Sequence, residues 1–102
     1  MALASQNNKY VQQLKSVVLN TFKNDSVKIV IFGSRARGDQ NITSDIDIGL
    51  LPKEKIDRNK LINLKEKLEE LNIPYHVDLV NLNETEPAFK QEVLKDAVTW
   101  KE

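Results

Sequence analysis

The stretch IFGSRARGDQNITSDIDIGL, residues 31–50, begins with a turn suited to binding an anion. Gly33 and Ser34 follow a short apolar run and lead into a turn that carries two arginines, Arg35 and Arg37. A glycine at a strand end lets the backbone approach a ligand closely, and the N–H groups of a following helical turn bind anions. Ser34 adds a hydroxyl donor, and either arginine can neutralise phosphate charge. Taken alone, such a segment is more often a surface turn with two solvated arginines, so its interpretation as a phosphate site depends on the residues that follow.

Two carboxylates follow within the same stretch. Ten residues separate Ser34 from Asp45, and Asp45 and Asp47 alternate with Ile46 and Ile48. Because residues two apart on a strand share a face, both carboxylates leave the sheet together, and such like charges repel by roughly 1–4 kcal/mol. Mg²⁺ relieves this repulsion, since it is commonly bound by one or two carboxylates plus substrate phosphates. A lone Asp-x-Asp is more often a solvated pair, but together with the preceding turn it indicates a metal-bound triphosphate.

A third carboxylate, Asp78, lies in the otherwise apolar segment HVDLV and shares a strand face with His76, the only histidine. A carboxylate there costs free energy unless it is paired, hydrogen-bonded or near a metal. If its strand neighbours that of Asp45 and Asp47, three carboxylates converge, the minimum for a two-metal phosphoryl-transfer site, and Asp78 could accept the proton of an attacking hydroxyl. The alternative for Asp78 is a strand-end carboxylate that caps a backbone group. His76 could contact the nucleotide or the acceptor, but we expect it to pack beside the sheet as a polar strand residue.

The apolar pattern predicts the elements that position these side chains. We predict helices from about Gln6 to Asn24, from the N-cap Asp57 to about Leu71, and from Pro87 to near Lys95. We predict strands at Val27–Phe32, Asp45–Leu51 and Tyr75–Val80, with a brief edge strand at Ala97–Trp100. Trp100 and Phe89 are expected to pack the C-terminus onto the core, and residues 65–70 to form a solvated helix face. This order describes a small α/β (α+β) sandwich, a mixed sheet flanked by helices, as one domain over residues 1–102.

The composition excludes several classes of protein. Lys+Arg and Asp+Glu each number 15, a balance that argues against direct nucleic-acid binding driven by net positive charge. The chain has no cysteine, so a disulfide scaffold and a thiolate metal site are ruled out. No secretory signal and no run long enough to span a bilayer are present, which favours a cytoplasmic protein without a membrane partner.

With these residues identified, the chain resembles the nucleotidyltransferase superfamily that includes DNA polymerase β and kanamycin nucleotidyltransferase. The shared pattern is Gly-Ser, ten residues, Asp-x-Asp and a later Asp, which Gly33, Ser34, Asp45, Asp47 and Asp78 fill. The short length resembles the minimal nucleotidyltransferases of bacteria and archaea. The resemblance implies the nucleotidyltransferase fold, a nucleotide such as ATP bound with Mg²⁺, and transfer of a nucleotidyl group to a hydroxyl.

The resemblance also implies roles for these residues. Gly33 and Ser34 would hold the β- and γ-phosphates, assisted by Arg35 or Arg37. Asp45 and Asp47 would bind metal, and Asp78 would complete the metal site and serve as the base.

The resemblance further implies a partner. Minimal members are typically encoded beside a small all-helical HEPN protein, and the two form toxin–antitoxin pairs. The nucleotidyltransferase is the antitoxin and can AMPylate a tyrosine of the HEPN ribonuclease. Two alternatives stay open: an antitoxin that acts by occlusion without catalysis, and an enzyme that modifies a small hydroxylated molecule such as an antibiotic. An enzyme that modifies a small molecule could form the acceptor site across the interface of a homodimer.

Overall fold

Three α-helices, four strands and one 3₁₀ helix make up the part of the chain that the structure, a computed structural model, describes: residues 9–32, 46–73 and 75–102. Their order is α1 (Lys9–Thr21), β1 (Val27–Phe32), β2 (Ile46–Pro52), α2 (Arg58–Glu70), β3 (Val77–Asn81), a 3₁₀ helix (Leu82–Glu84), α3 (Pro87–Asp96) and β4 (Val98–Lys101). The predicted order of helices and strands is confirmed over these ranges. None of their helices combines the length and the apolar character that crossing a membrane requires.

The strands form one mixed sheet in the order β3-β2-β1-β4. β1 pairs antiparallel with β2 and with β4, whereas β2 and β3 run parallel. Parallel neighbours cannot be joined by a tight hairpin, and α2 lies in the connection between them. The predicted mixed sheet flanked by helices is therefore confirmed, with β3 and β4 as its edge strands.

Side-chain alternation divides the apolar residues between the two faces of the sheet. The larger cluster lies between one face and α1 and α2 and contains the buried residues Val11, Leu14, Val18, Phe22, Val27, Ile29, Ile31, Ile46, Ile48, Leu50, Leu64, Leu68 and Trp100. The opposite face carries a smaller buried cluster of Val30, Phe32 and Leu82, against which Val93 of α3 packs. Within the described residues, one face thus serves mainly as core, and the other is only thinly covered.

The predicted boundaries match closely where local signals are strong. Asp57 is the N-cap of α2, and its side chain accepts a hydrogen bond of 2.9 Å from the Asn59 N–H. β1 spans the predicted Val27–Phe32, whereas β3 begins two residues after the predicted Tyr75. The start predicted for the first helix at Gln6 lies outside the described residues. The 3₁₀ helix was not predicted, because three residues are too few to show a periodic pattern.

The prediction for Phe89 is wrong. Trp100 is buried, as expected, but the Phe89 side chain is 48% exposed. The physical reason is the small size of the cluster that α3 covers: Val93 and Ala97 pack against its three buried residues, and α3 has no buried residue of its own. The sequence shows that Phe89 is apolar but not how much surface is available to cover it.

Close packing at Gly49 generates the first prediction. A Cβ atom built on Gly49 would lie 2.6 Å from Leu82 Cδ1 and 3.0 Å from Val30 Cγ2, and both neighbours are buried. We expect Gly49→Ala to lower the free energy of unfolding by about 1–3 kcal/mol, because the added methyl overpacks this face. Urea unfolding monitored by circular dichroism measures the loss.

The matched control for this prediction is the double variant Gly49→Ala/Leu82→Ala. Since Leu82→Ala removes the atom that the new methyl would meet, the two effects should be non-additive, with Gly49→Ala costing less in the Leu82→Ala background. A Gly49→Ala protein as stable as wild type would contradict the packing described for this face.

Candidate active site

The site is built on a row of three residues across neighbouring strands. Asp47 of β2 is the register partner of Phe32 in β1 on one side and of Asp78 in β3 on the other. Register partners share a face of the sheet, and neighbouring strands lie about 4.8 Å apart. The two carboxylates therefore lie side by side on the thinly covered face. The condition derived from the sequence, that the strand of Asp78 neighbours that of Asp47, is met.

The register that produces this row is fixed at the start of both strands. The Ile46 N–H donates a 2.8 Å hydrogen bond to the His76 carbonyl, where the parallel ladder begins. Ile46 and Ile48 are buried in the larger cluster, so Asp47 between them must leave the opposite face. A shift of one residue would bury Asp47 and expose both isoleucines. The hydrophobic pattern of β2 therefore specifies which way its carboxylate faces.

Asp78 lies at an accessible edge and contacts His76. Their side chains are 49% and 69% exposed, and His76 Nε2 lies 3.1 Å from Asp78 Oδ1. An exposed pair of this kind adds about 0–1 kcal/mol to stability, so the contact contributes little to the fold. The expectation that His76 packs beside the sheet is wrong, because the residue precedes an edge strand and points into solvent.

The donor chemistry of the row suits a hard divalent cation. Asp47 and Asp78 supply carboxylate oxygens from rigid strands, which is the ligand type that Mg²⁺ takes. Within residues 9–32, 46–73 and 75–102, no group of three His, Cys, Asp or Glu side chains is close enough together to hold a metal. Asp45, the third expected ligand, immediately precedes β2 and lies outside the described residues. The structure thus brings together two of the three expected carboxylates.

The expected phosphate-binding residues also lie outside the described part of the chain. Gly33, Ser34, Arg35 and Arg37 follow β1 directly in sequence, and Phe32 at the end of β1 is the register partner of Asp47. The chain therefore leaves β1 beside the carboxylate row. The role of these four residues in binding phosphate stays a prediction.

A groove beside the row was missed by the sequence reasoning. It has a volume of about 350 Å³ and runs between β3 and the C-terminal half of α2, lined by Leu68, Leu71, Val77 and Leu79, with Asp78 among its other lining residues. The Lys/Glu-rich character of residues 65–70 predicted only a solvated helix face. Because the groove joins residues far apart in sequence, no local pattern could have revealed it.

Comparisons with known proteins agree with the fold and with the resemblance to nucleotidyltransferases. The family model described as "Polymerase beta, Nucleotidyltransferase" matches residues 12–100. A relative from Methanocaldococcus jannaschii, named "Putative protein adenylyltransferase", is 35% identical over 89 residues, which cover 86% of this chain and 95% of the relative.

Two solved structures resemble the chain over most of its length. One, described as a "putative minimal nucleotidyltransferase", has a TM-score of 0.68 at 28% identity. The match covers 85% of this chain and 88% of that chain. The other belongs to a toxin–antitoxin structure with AMP-PNP and has a TM-score of 0.65 at 26% identity, with coverage of 84% of this chain and 71% of that chain. Both similarities support a mixed α/β nucleotidyltransferase fold.

The proximity of the two carboxylates generates a stability prediction. In the presence of a chelator, we expect Asp47→Asn to be at least as stable as wild type, because removing one of two neighbouring negative charges relieves repulsion. Thermal unfolding in EDTA measures this, with Glu66→Gln on the exposed surface of α2 as the charge-matched control that should change little. An Asp47→Asn protein that fails to fold would show instead that the carboxylate is structural.

Proposed function

We propose that this chain, which belongs to the polymerase β nucleotidyltransferase family and is a nucleotidyltransferase, transfers AMP from ATP to a hydroxyl group of a partner protein. The observation that carries the proposal is the register pair of Asp47 and Asp78, two carboxylates side by side on the thinly covered face of the sheet. The M. jannaschii relative is named as a protein adenylyltransferase, which supports AMP as the transferred group and a protein as its acceptor.

The proposed metal is Mg²⁺, bound through Asp45, Asp47 and Asp78. When bound, Mg²⁺ would neutralise phosphate charge and orient the substrate. The carboxylates of β2 and β3 support this assignment, because the strand register sets Asp47 and Asp78 side by side on the same face of the sheet. Gly33 and Ser34 follow β1 in sequence, and we assign them to the phosphates of ATP, with Arg35 or Arg37 neutralising further charge. Separate residues thus bind the metal and the phosphate tail.

The reaction needs positioning and one proton acceptor. The acceptor hydroxyl oxygen attacks the α-phosphorus of ATP, an oxygen–phosphorus bond forms, and the bond to the bridging oxygen breaks to release pyrophosphate. We assign Asp78 to accept the hydroxyl proton, because its side chain is 49% exposed at the edge of the sheet, where an acceptor can reach it. His76, 3.1 Å away, orients this carboxylate. No nucleophilic side chain of the enzyme takes part.

The proposed partner is a small helical protein of the HEPN type encoded beside this chain, with the chain acting as its antitoxin. The resemblance to minimal nucleotidyltransferases implies that arrangement. The similar chain in a toxin–antitoxin structure with AMP-PNP supports both a protein partner and an adenine nucleotide. Transfer of AMP to the partner would then neutralise the toxin covalently rather than by occlusion.

The metal and nucleotide assignment predicts a thermal shift. We expect Mg²⁺ with ATP to raise the Tm of wild type, because a ligand that binds only the folded state stabilises it by about 2.7 kcal/mol at a hundred times its Kd. Differential scanning fluorimetry should show that Asp47→Asn loses most of this shift. Asp57→Asn, which retains a good N-cap side chain at α2, is the matched control and should keep it. An unchanged shift in Asp47→Asn would contradict the assigned site.

The proposed activity predicts covalent labelling of the partner. We expect wild type with radiolabelled ATP and Mg²⁺ to label the protein encoded beside it, and Asp78→Asn to slow labelling by about 10²–10⁴-fold through loss of the proton acceptor. Asp57→Asn should label at the wild-type rate. The double variant Asp45→Asn/Asp47→Asn tests the alternative: if it neutralises the partner fully without label, the chain acts by occlusion and the proposal is wrong.

A further inference from the structure

β3 has one edge that is open to another strand. It pairs with β2 alone, and the described part of the chain places no strand on its other side. Because Ile46 donates to the His76 carbonyl, the parallel ladder directs the backbone groups of His76, Asp78 and Val80 toward β2. The N–H and C=O groups of Val77 and Leu79 therefore point to the open edge. Every residue of β3 is partly exposed, so this edge is accessible.

The open edge borders the groove between β3 and α2. The groove combines the apolar side chains of Leu68, Leu71, Val77 and Leu79 with the charged residues Lys65 and Glu69, and its volume is about 350 Å³. That volume accommodates one or two apolar side chains beside the strand. Edge strands with free backbone groups recruit extended peptides by strand addition, in which main-chain hydrogen bonds give affinity and adjacent pockets select alternate side chains.

The register of an added strand would bring one of its residues next to the proposed proton acceptor. A residue directly opposite Asp78 shares its face of the sheet, with its backbone about 4.8 Å away. Its two neighbours in sequence point to the other face, where Val77, Leu79 and the groove lie. Strand addition therefore places one side chain of the peptide beside the Asp78 carboxylate and the two flanking side chains on the face where the groove lies.

We propose that an extended acceptor segment of the partner protein, lying outside its helices, adds to the open edge of β3 as a further strand, with its hydroxyl residue opposite Asp78 and apolar residues on either side of it in the groove. This inference rests on the proposed transfer of AMP to a protein. It assigns to the enzyme a substrate class, an extended segment with the pattern apolar–hydroxyl–apolar. Main-chain hydrogen bonds from Val77 and Leu79 would hold the segment.

A second copy of this chain is the other occupant that such an edge could attract. Pairing β3 with its own copy would bring the Asp78 carboxylates of two chains to one edge, and like charges close together across strands are destabilising. A neutral segment with one hydroxyl avoids this cost and places a hydrogen-bond donor beside the carboxylate instead. Charge therefore favours the acceptor over self-association.

Amide hydrogen exchange measured by NMR tests the docking without any substitution. The probe is the purified protein encoded beside this chain, added with Mg²⁺ and α,β-methylene ATP, which cannot release pyrophosphate. We expect exchange of the Val77 and Leu79 amides to slow by at least tenfold on addition of the partner. The amides of Asp78 and Val80 face β2 in both states and serve as the internal control.

A pair of variants at Leu79 tests the same hydrogen bonds through activity. Both variants remove the leucine side chain. Leu79→Pro also removes the backbone N–H that points to the open edge, whereas Leu79→Ala keeps this N–H. We expect Leu79→Pro to raise the KM for the partner about tenfold more than Leu79→Ala does, the effect of one or two lost hydrogen bonds. Both variants should bind ATP with the wild-type Kd, because Leu79 faces the groove and not the nucleotide site.

The outcomes separate this inference from the function on which it rests. Label transfer with protection of Val77 and Leu79 and a selective defect in Leu79→Pro supports strand addition. Label transfer with neither effect overturns the docking and leaves the proposed activity intact. Protection in the protein alone that grows with its concentration shows a second copy at the edge and overturns the docking. Absence of transfer by wild type removes both proposals.

Discussion

The parallel register between β2 and β3 is the constraint on which the rest of the site depends. It sets Asp47 opposite Asp78, and the proposed reaction uses these two carboxylates together, to bind the metal and to accept the proton. The register is maintained by burial: Ile46 and Ile48 on β2 belong to the larger core cluster, so a slip would cost the burial of both isoleucines. The burial of apolar side chains on one face of the sheet thus fixes the positions of Asp47 and Asp78 on the other face.

The two faces of the sheet divide the tasks of stability and chemistry. Among the described residues, thirteen are buried in the cluster between one face and α1 and α2, whereas Val30, Phe32 and Leu82 form the buried cluster on the other face. Close packing of Gly49 against Leu82 lets the 3₁₀ helix approach the sheet near the carboxylates. In the proposed function the nucleotide lies on this face and the acceptor lies at the edge of β3, and the described residues leave both places accessible. The same asymmetry explains why Phe89 stays exposed.

Much of the fold could be predicted from local signals in the sequence. The β-branched run at Val27–Phe32 and the N-cap at Asp57 each depend on a few adjacent residues, and both match the structure. The pairing of Asp47 with Asp78, the exposure of Phe89 and the groove beside β3 depend on contacts between distant segments. Periodicity gives the face of a residue on its own strand but not the neighbour across the sheet. The site was therefore predictable as a set of residue types, and its geometry was not.

The central claim is that the face carrying Asp47 and Asp78 binds the metal that accompanies the nucleotide. Paramagnetic broadening of amide resonances by substoichiometric Mn²⁺, added with ATP as a stand-in for Mg²⁺, tests this claim most directly. The account predicts that Phe32, Asp47 and Asp78 broaden first, while Asp25 and Asp57 stay sharp. Broadening centred on Asp25 and Asp57, with the β2–β3 row unaffected, would contradict it.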